Sequence, residues 1–388
     1  MKVLHTSDWH LGRTLFQTSL LDDQRTFLEW LLGQAHAHQV SAVLVSGDVY
    51  DRAVPSVDAV TLLDDTVAAF SRAGVPLVLV SGNHDSAIRL GFGSGLAERA
   101  GVHLRTTLAD IDRPVELRDA HGTVAVYGIP YLLPDSVKDE LGAERTHESV
   151  LRAAVARSLA DAARRGITRT VVLAHAFITG GVATESERDI KVGGLQDAPA
   201  GVFDGATYVA LGHLHRPQHV PLPGSGTVLR YSGSPLAFSF SEKDDAKSVT
   251  LVELDAHGIT GLSEVLVPVP RSLREVSGRL DDLLADRDDD AELAEAWVKV
   301  TLTNPSRPSS PMERLRAKWP FTLALEFAPD GEHISSADDI ARLRATNDPI
   351  EICSMFVEYV DHVPPTEPEQ AVLTRAIEMV RDTEVAAG

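Results

Sequence analysis

Five apolar runs in this 388-residue chain end on side chains that can bind metal or move protons. VLHTSDWH ends in Asp8 and His10, AVLVSGDVYD in Asp48 and Asp51, VPLVLVSGNHDS in Asn83, His84 and Asp85, TVVLAHAF in His175, and YVALGHLH in His213 and His215. A donor set of carboxylate, amide and imidazole without thiolate suits Mn²⁺ or Fe²⁺ and differs from the closed cysteine and histidine sets of structural zinc. Asp8, His10, Asp48, Asn83, His175, His213 and His215 are too many ligands for one ion. Two ions about 3.5 to 4 Å apart need a bridging carboxylate, and Asp48, on the central turn, is the natural bridge. One ion then takes Asp8, His10 and His215, the other Asn83, His175 and His213.

A two-metal clamp lowers the pKa of a water, aligns it on phosphorus and neutralises charge in the transition state. His84 is left over from coordination. It is the catalytic candidate, donating a proton to the leaving oxygen or stabilising the non-bridging oxygens. Asp51 and Asp85 are the candidates for orienting it from behind, and both equally fit local turn capping. A single strand that ends on a polar turn would carry no message, because most α/β strands finish that way. Five runs that each place a ligand type there are not required by solubility.

The elements that must position these residues read as alternating strands and helices. Lys2 to Ser7, Val40 to Ser46 and Pro76 to Val80 have the length of buried strands, and Gly82 fits the tight turn that follows the third. Between them, Asp22 to His38 and the segment from an N-cap at Ser56 to Gly74 have helical spacing. This βαβαβ order implies right-handed crossovers and a parallel sheet core. Val124 to Pro130, Thr170 to Ala174, Tyr208 to Leu211, Val228 to Tyr231 and Ser248 to Leu254 read as further strands, and His147 to Arg165 as a helix closed at Gly166. A long polar loop between His175 and Tyr208 lies beside the presumed site.

Beyond a hinge-like VPVPRS around Val267 to Arg271, a fresh α/β unit is expected: helix Leu273 to Ala285, strand Trp297 to Thr303, helix Met312 to Lys318 and strand Phe321 to Phe327. It is a candidate lid over the site. After VPPTEP comes a last helix with Thr366 and Glu369 in a capping-box spacing. The domain expectation is therefore 1–266, 267–362 and 363–388.

Composition bounds the rest. Hydrophobic residues at 44 % and aromatics at 5 % fit a globular protein with a sizeable core, and Cys353, the lone cysteine, excludes an intramolecular disulfide. No signal-like segment and no apolar run near ~20 residues is found, so a soluble cytoplasmic protein is expected. With 36 basic against 56 acidic residues, net −20, an extended DNA-coating surface is disfavoured. If nucleic acid is the substrate, a partner supplies much of the grip. Arg13, Arg52 and Arg89, with Arg188, Lys191 and Arg216, sit near the motif loops and are candidates for phosphate contact.

The ordered set D-x-H, G-D-x-x-D, G-N-H-D, a lone His after a strand, and G-H-x-H resembles the calcineurin-type metallophosphoesterase family, whose ligands fall on these positions. The wording around the motifs, LHTSDWHLGR, VATESERDIKVGG, YVALGHLHRPQ and RYSGSPLAFSFSE, is similar to the SbcD family of nuclease subunits from bacterial SbcCD complexes. The resemblance implies an α/β fold, a sandwich of mixed β-sheets flanked by helices, with a smaller α/β capping domain and a C-terminal helical segment. It implies a Mn²⁺-dependent 3′ to 5′ exonuclease on double-stranded DNA that is also an endonuclease on single strands and hairpins, acting in DNA repair and recombination. It also implies a partner, an SbcC-type ABC ATPase that brings ATP, docked on terminal helices, and a homodimer within a heterotetramer. Leu15 to Leu21 or the helix after Ser56 are the candidate dimer surfaces. Archaeal and eukaryotic relatives carry a histidine where this chain has Asp51 and Arg52, so any duty of that histidine does not carry over. The alternative within the same chemistry is a phosphatase or small-molecule phosphodiesterase.

Overall fold

The computed structural model describes residues 1–187, 197–328, 346, 348–361 and 364–387. By internal packing the chain forms two compact units, Met1–Pro270 and Arg271–Gly388.

The first unit holds two six-stranded mixed sheets. In the first sheet, β1 (Lys2–Thr6), β4 (Ala42–Ser46), β5 (Leu77–Val80) and β6 (Val102–Arg105) run parallel, and β13 (Ser248–Leu254) and β14 (Ile259–Leu266) extend it antiparallel beyond β1. A short hairpin, β2 (Thr14–Leu15) and β3 (Thr18–Ser19), stands apart. In the second sheet, β8 (Gly122–Ile129), β9 (Arg169–His175), β10 (Tyr208–Gly212) and β12 (Val228–Tyr231) run parallel, with β7 (Val115–Asp119) and β11 (Gln218–Val220) antiparallel at the two edges.

The sheets pack face to face. Val3, Leu44, Val80, Val126, Leu173, Tyr208 and Val252 belong to the buried cluster between them. The other face of the first sheet is covered by α1 (Leu21–Ala37) and α2 (Val57–Ala73) through Phe27, Leu31, Leu62 and Phe70, and the other face of the second by helix His147–Arg164 through Val150, Leu151 and Val155. Strands covered on both faces read as continuous apolar runs, which is why Ala42–Ser46 and Arg169–His175 are buried at every position. Local signals fix the helix ends. Ser56 Oγ accepts the Ala59 N–H, Thr146 Oγ1 accepts that of Ser149, and Gly74 takes φ +68° to close α2.

Register brings the strand ends level. Thr6 lies opposite Val45, Ser46 opposite Val80, and Gly212 opposite His175. A polar seam joins the sheets just below these ends: His5 Nδ1 meets the Tyr208 hydroxyl at 2.9 Å, Ser46 Oγ donates to the Ala210 carbonyl at 2.8 Å, and Ser232 Oγ donates to that of His5 at 2.9 Å. His5 is thus a satisfied core histidine, and burial pushes its pKa down to about 3. The seam is tightest at Gly212, where a Cβ would stand 1.8 Å from the Ser46 carbonyl oxygen. Only glycine permits that approach.

The second unit carries a parallel three-stranded sheet, β15 (Leu273–Gly278), β16 (Trp297–Leu302) and β17 (Thr322–Phe327), with helices including Pro311–Lys318. Val298, Val300, Leu302, Leu315 and Trp319 form its core. The helix expected over Leu273 to Ala285 is corrected here. Residues 273–278 pair along β16, and only Leu280–Leu284 is helical. Leu273, Val276, Leu280 and Leu283 fit a helical period, but Gly278 interrupts it and sheet pairing wins. Two further helices among the described residues are Pro349–Asp361 and Glu367–Ala387, and Glu369 accepts both the N–H and the hydroxyl of Thr366. Among the described residues no helix is long and apolar enough to cross a membrane.

Candidate metal centre

All seven sequence-selected ligands converge at the carboxyl ends of the two sheets. Asp8, His10, Asp48 and Asn83 follow β1, β4 and β5 of the first sheet, and His175, His213 and His215 end or follow β9 and β10 of the second. Ligand atoms of Asp8, His10 and His215, of Asp8, Asp48 and His175, and of His10, Asp48 and His84 form three buried groups whose members lie within 4.8 Å of one another. Asn83 joins them through Oδ1, 2.8 Å from His175 Nε2 and 3.1 Å from His213 Nδ1.

The backbone is bent to achieve this. Asp8, His10, Asp48 and His213 have φ of 53°, 45°, 48° and 108°, a region non-glycine residues avoid at a cost on the order of 1–3 kcal/mol each. Gly82 acts by absence of a side chain: a Cβ there would sit 2.1 Å from Asp48 Oδ1. Turn amides hold the carboxylates, with His84 N–H donating to Asp48 Oδ1 at 2.8 Å and His213 N–H to both Asp8 oxygens at 3.1 Å.

The electrostatics ask for positive charge. Burial raises the Asp8 carboxyl to about 6 and Asp85 to about 7, and it drives His10 and His213 down, the latter to about 3. Burial also works against charge on Asp48 and His175. Their mutual attraction nonetheless keeps Asp48 well below the usual carboxylate range and lifts His175 to about 9.

The donors fit divalent ions. His175 Nδ1–H donates to the Ser46 carbonyl at 2.9 Å, so once the ring is neutral, as a metal ligand must be, its Nε2 lone pair faces Asn83 Oδ1, itself an acceptor. His215 Nε2 faces His10 Nε2 at 3.1 Å, while His10 Nδ1 is buried without a hydrogen-bond partner among the described residues. Either neutral tautomer of His10 leaves one ring nitrogen unsatisfied. Cations would relieve the lone-pair oppositions at Asn83 and at the two facing Nε2 atoms, leaving His10 Nδ1–H directed toward Asp51 Oδ1 at 3.6 Å.

His84 lies at the rim, its Nε2 4.0 Å from Asp48 Oδ2. Its Nδ1–H donates to the main-chain carbonyl of Asp51 at 2.8 Å, so the orienting group is a peptide oxygen and neither of the expected carboxylates. The Asp51 carboxylate instead receives Arg13 at 3.3 Å. That of Asp85 accepts the N–H groups of Val49, Tyr50 and Gly82 and ties two ligand-bearing turns together. Arg13 is fixed further by the Ser186 carbonyl at 2.9 Å, Arg89 donates to the Ala53 carbonyl at 2.9 Å, and the largely exposed Arg52 donates from Nε to Asp51 Oδ2 at 3.4 Å. Arg13, Thr14, Asp51, Arg52 and His84 line an open cleft of about 430 Å³. Arg188 and Lys191 lie outside the described residues.

Sequence reasoning missed the groups behind His215. Its Nδ1–H donates to Ser186 Oγ at 2.5 Å, Ser186 donates to Glu242 Oε1 at 2.5 Å, and Glu242 pairs with Lys247, all of them buried. Glu187 Oε1 accepts the His215 amide at 2.7 Å, and Gln24 Nε2 donates to the His10 carbonyl at 2.7 Å. The acidic and hydroxylic residues in TESE and SFSEKDDAK are the only trace in the sequence.

Residues 1–217 match the model of the calcineurin-like phosphoesterases, and residues 269–359 that of the type 5 capsule protein repressor C-terminal domain. The SbcD component of nuclease SbcCD from Staphylococcus saprophyticus is 32 % identical over 331 residues, 84 % of each chain. Among solved structures, a dimetal phosphatase from Danio rerio matches 69 % of this chain and 99 % of its own at 12 % identity and a TM-score of 0.43. The calcineurin-like phosphoesterase YfkN from Bacillus subtilis matches 69 % of this chain and 90 % of its own at 11 % identity and a TM-score of 0.36.

Proposed function

The chain belongs to the calcineurin-like phosphoesterase family, in the SbcD group of nucleases, and from that premise we propose that it is the DNA nuclease subunit of an SbcCD-type complex. The reaction is metal-dependent phosphodiester hydrolysis in DNA repair and recombination, 3′ to 5′ on double-stranded DNA and endonucleolytic on single strands and hairpins. One observation carries the reading: seven ligands from two sheets meet in one buried cluster beside a cleft that holds a histidine and two arginines.

Two divalent ions, Mn²⁺ in this reading, would be held by Asp8, His10 and His215 and by Asn83, His175 and His213, with Asp48 shared; when bound they polarise the phosphoryl oxygens and lower the pKa of the attacking water. The protein's own groups do the rest. With Nδ1 committed to the Asp51 carbonyl, His84 offers a proton from Nε2 only as the imidazolium, and in that form it both neutralises phosphoryl charge and protonates the leaving oxygen. Asp51 holds the Arg13 guanidinium at the cleft, and Arg52 reaches it from solvent, so both meet the DNA backbone. Arg89 steadies the loop at Ala53 and touches phosphate only secondarily.

The assembly follows from exposed apolar surface. Val57, Val60, Ile88, Phe92 and Leu96 are 45–90 % exposed, and the Arg89–Ala53 bond sets their two segments side by side. This face is the proposed homodimer contact. The competing stretch Leu15 to Leu21 turns Leu15 and Leu20 into the core. Phe356, Tyr359, Val372 and Val380 on the last two helices offer the apolar surface for an SbcC-type ATPase, which supplies ATP hydrolysis. The place of action is the cytoplasm, at the chromosome.

The deciding experiment is Mn²⁺-dependent digestion of linear duplex and hairpin DNA, with and without the ATPase partner and ATP. Cleavage that needs Mn²⁺ and disappears in Asp48→Ala supports the reading. Rapid turnover of phosphomonoesters with no DNA cleavage would overturn it in favour of a phosphatase.

A further inference from the structure

The loop that delivers Asp8 and His10 runs on through Arg13 into the hairpin β2–β3, whose turn residues are Phe16 and Gln17. Both have left-handed backbone, φ 46° and 69°. Two-residue turns with two positive φ values are normally built from Asn-Gly or similar pairs, and a side chain with a Cβ costs about 1–2 kcal/mol at each such position. The strain does not serve burial of the tip, since Phe16 is 50 % exposed.

The Phe16 ring packs at a tilt against the buried Phe240, centroids 5.6 Å apart and planes at 56°. Two residues back along the chain, Phe238 packs edge-on against His10 at 5.2 Å and His215 at 5.5 Å, and the Arg13 guanidinium lies 4.8 Å from its ring centre. Aromatic rings thus lead from two candidate ligands outward to a half-exposed ring. That ring stands on a short, tightly turned hairpin whose first strand residue, Thr14, lines the cleft with Arg13 and Arg52.

We propose that Phe16, backed by Phe240, is a stacking platform for a nucleobase next to the scissile bond. The proposal rests on the nuclease reading. The cleft arginines match the phosphates of a nucleotide strand, and every base has a π-face that an exposed phenylalanine can take without regard to sequence. Stacking there fixes the strand so that the neighbouring phosphate enters the cleft beside His84.

The test uses the full chain with its ATPase partner and Mn²⁺, on hairpin oligonucleotides carrying an abasic sugar at each position flanking the mapped cut. One abasic position is expected to slow the wild type about tenfold. Phe16→Leu keeps the apolar contact with Phe240 but lacks a ring. It should be slowed about tenfold on intact DNA and no further by the abasic sugar, while Phe16→Trp cleaves like wild type. An undiminished abasic penalty in Phe16→Leu, or wild-type cleavage of intact DNA by it, overturns the proposal and leaves the nuclease reading intact. A wild-type complex that cuts none of the oligonucleotides overturns that reading, and the platform with it.

Discussion

His84 Nδ1 and the main-chain carbonyl of Asp51 are 2.8 Å apart, a bond in which the imidazole can only donate. If His84 protonates the leaving oxygen, removing it must hurt most where that oxygen is a poor leaving group. His84→Ala is expected to slow DNA cleavage by about 10²- to 10⁴-fold and hydrolysis of a p-nitrophenyl phosphodiester far less. Equal losses on both substrates would assign His84 to charge stabilisation alone.

Ser186 is the hinge of the hydrogen-bond chain behind His215. Loss of its hydroxyl frees the imidazole to rotate and leaves Nδ1 without a partner. Ser186→Ala is expected to fold normally and to bind Mn²⁺ about 10- to 100-fold more weakly by calorimetry, with Ser186→Thr close to wild type. Wild-type affinity in the alanine variant would show that His215 is held by its amide and carbonyl bonds alone.

Glu242 links that chain to stability. Burial pushes its carboxyl up, but hydrogen bonding toward His215 and the Lys247 ammonium outweigh burial and bring it down to about 2. A carboxylate depressed on folding contributes stability above its ordinary value near ~4.3, and the contribution is lost as pH falls toward the folded value. Glu242→Gln leaves Lys247 buried without its counter-charge. It should cost on the order of 3–5 kcal/mol at neutral pH, the gap closing between about pH 5 and about pH 2. Denaturant unfolding in chelator across that range reads the gap, and a constant difference would contradict the assignment.

The exposed apolar face around Phe92 predicts the oligomer. Phe92→Asp, at a residue 90 % exposed in the single chain, is expected to convert a dimer to a monomer by light scattering without lowering the melting temperature. An unchanged dimer would move the interface elsewhere.

The sequence makes the convergence of ligands legible because each sits where an apolar run stops, and the strand ends Ser46, Val80, His175 and Gly212 fall within a residue or two of where the runs suggest. What holds the ligands is not legible. The groups that clamp His215 lie 28 and 56 residues from their partners, as with Glu187 to His215 and Ser186 to Glu242, and their recognition of backbone and hydroxyl groups leaves no periodic signature. Asp51 and Asp85 have the right type and neighbourhood to steady His84, yet amide donors within reach claim Asp85, and Asp51 uses its peptide oxygen. In the second unit the period of leucines and valine misleads at β15, since short strands and short helices share such spacing.

Four of the seven ligands are furnished by one sheet and three by the other, with 207 positions separating Asp8 from His215. Neither half of the sandwich holds a complete set. If the proposed ligands carry the reaction, a nascent chain on the ribosome, or a molecule whose layers have come apart, is incapable of cutting a chromosome. Chemical danger is switched on only by the last act of tertiary assembly, and any cation captured there rivets the halves against the next unfolding event.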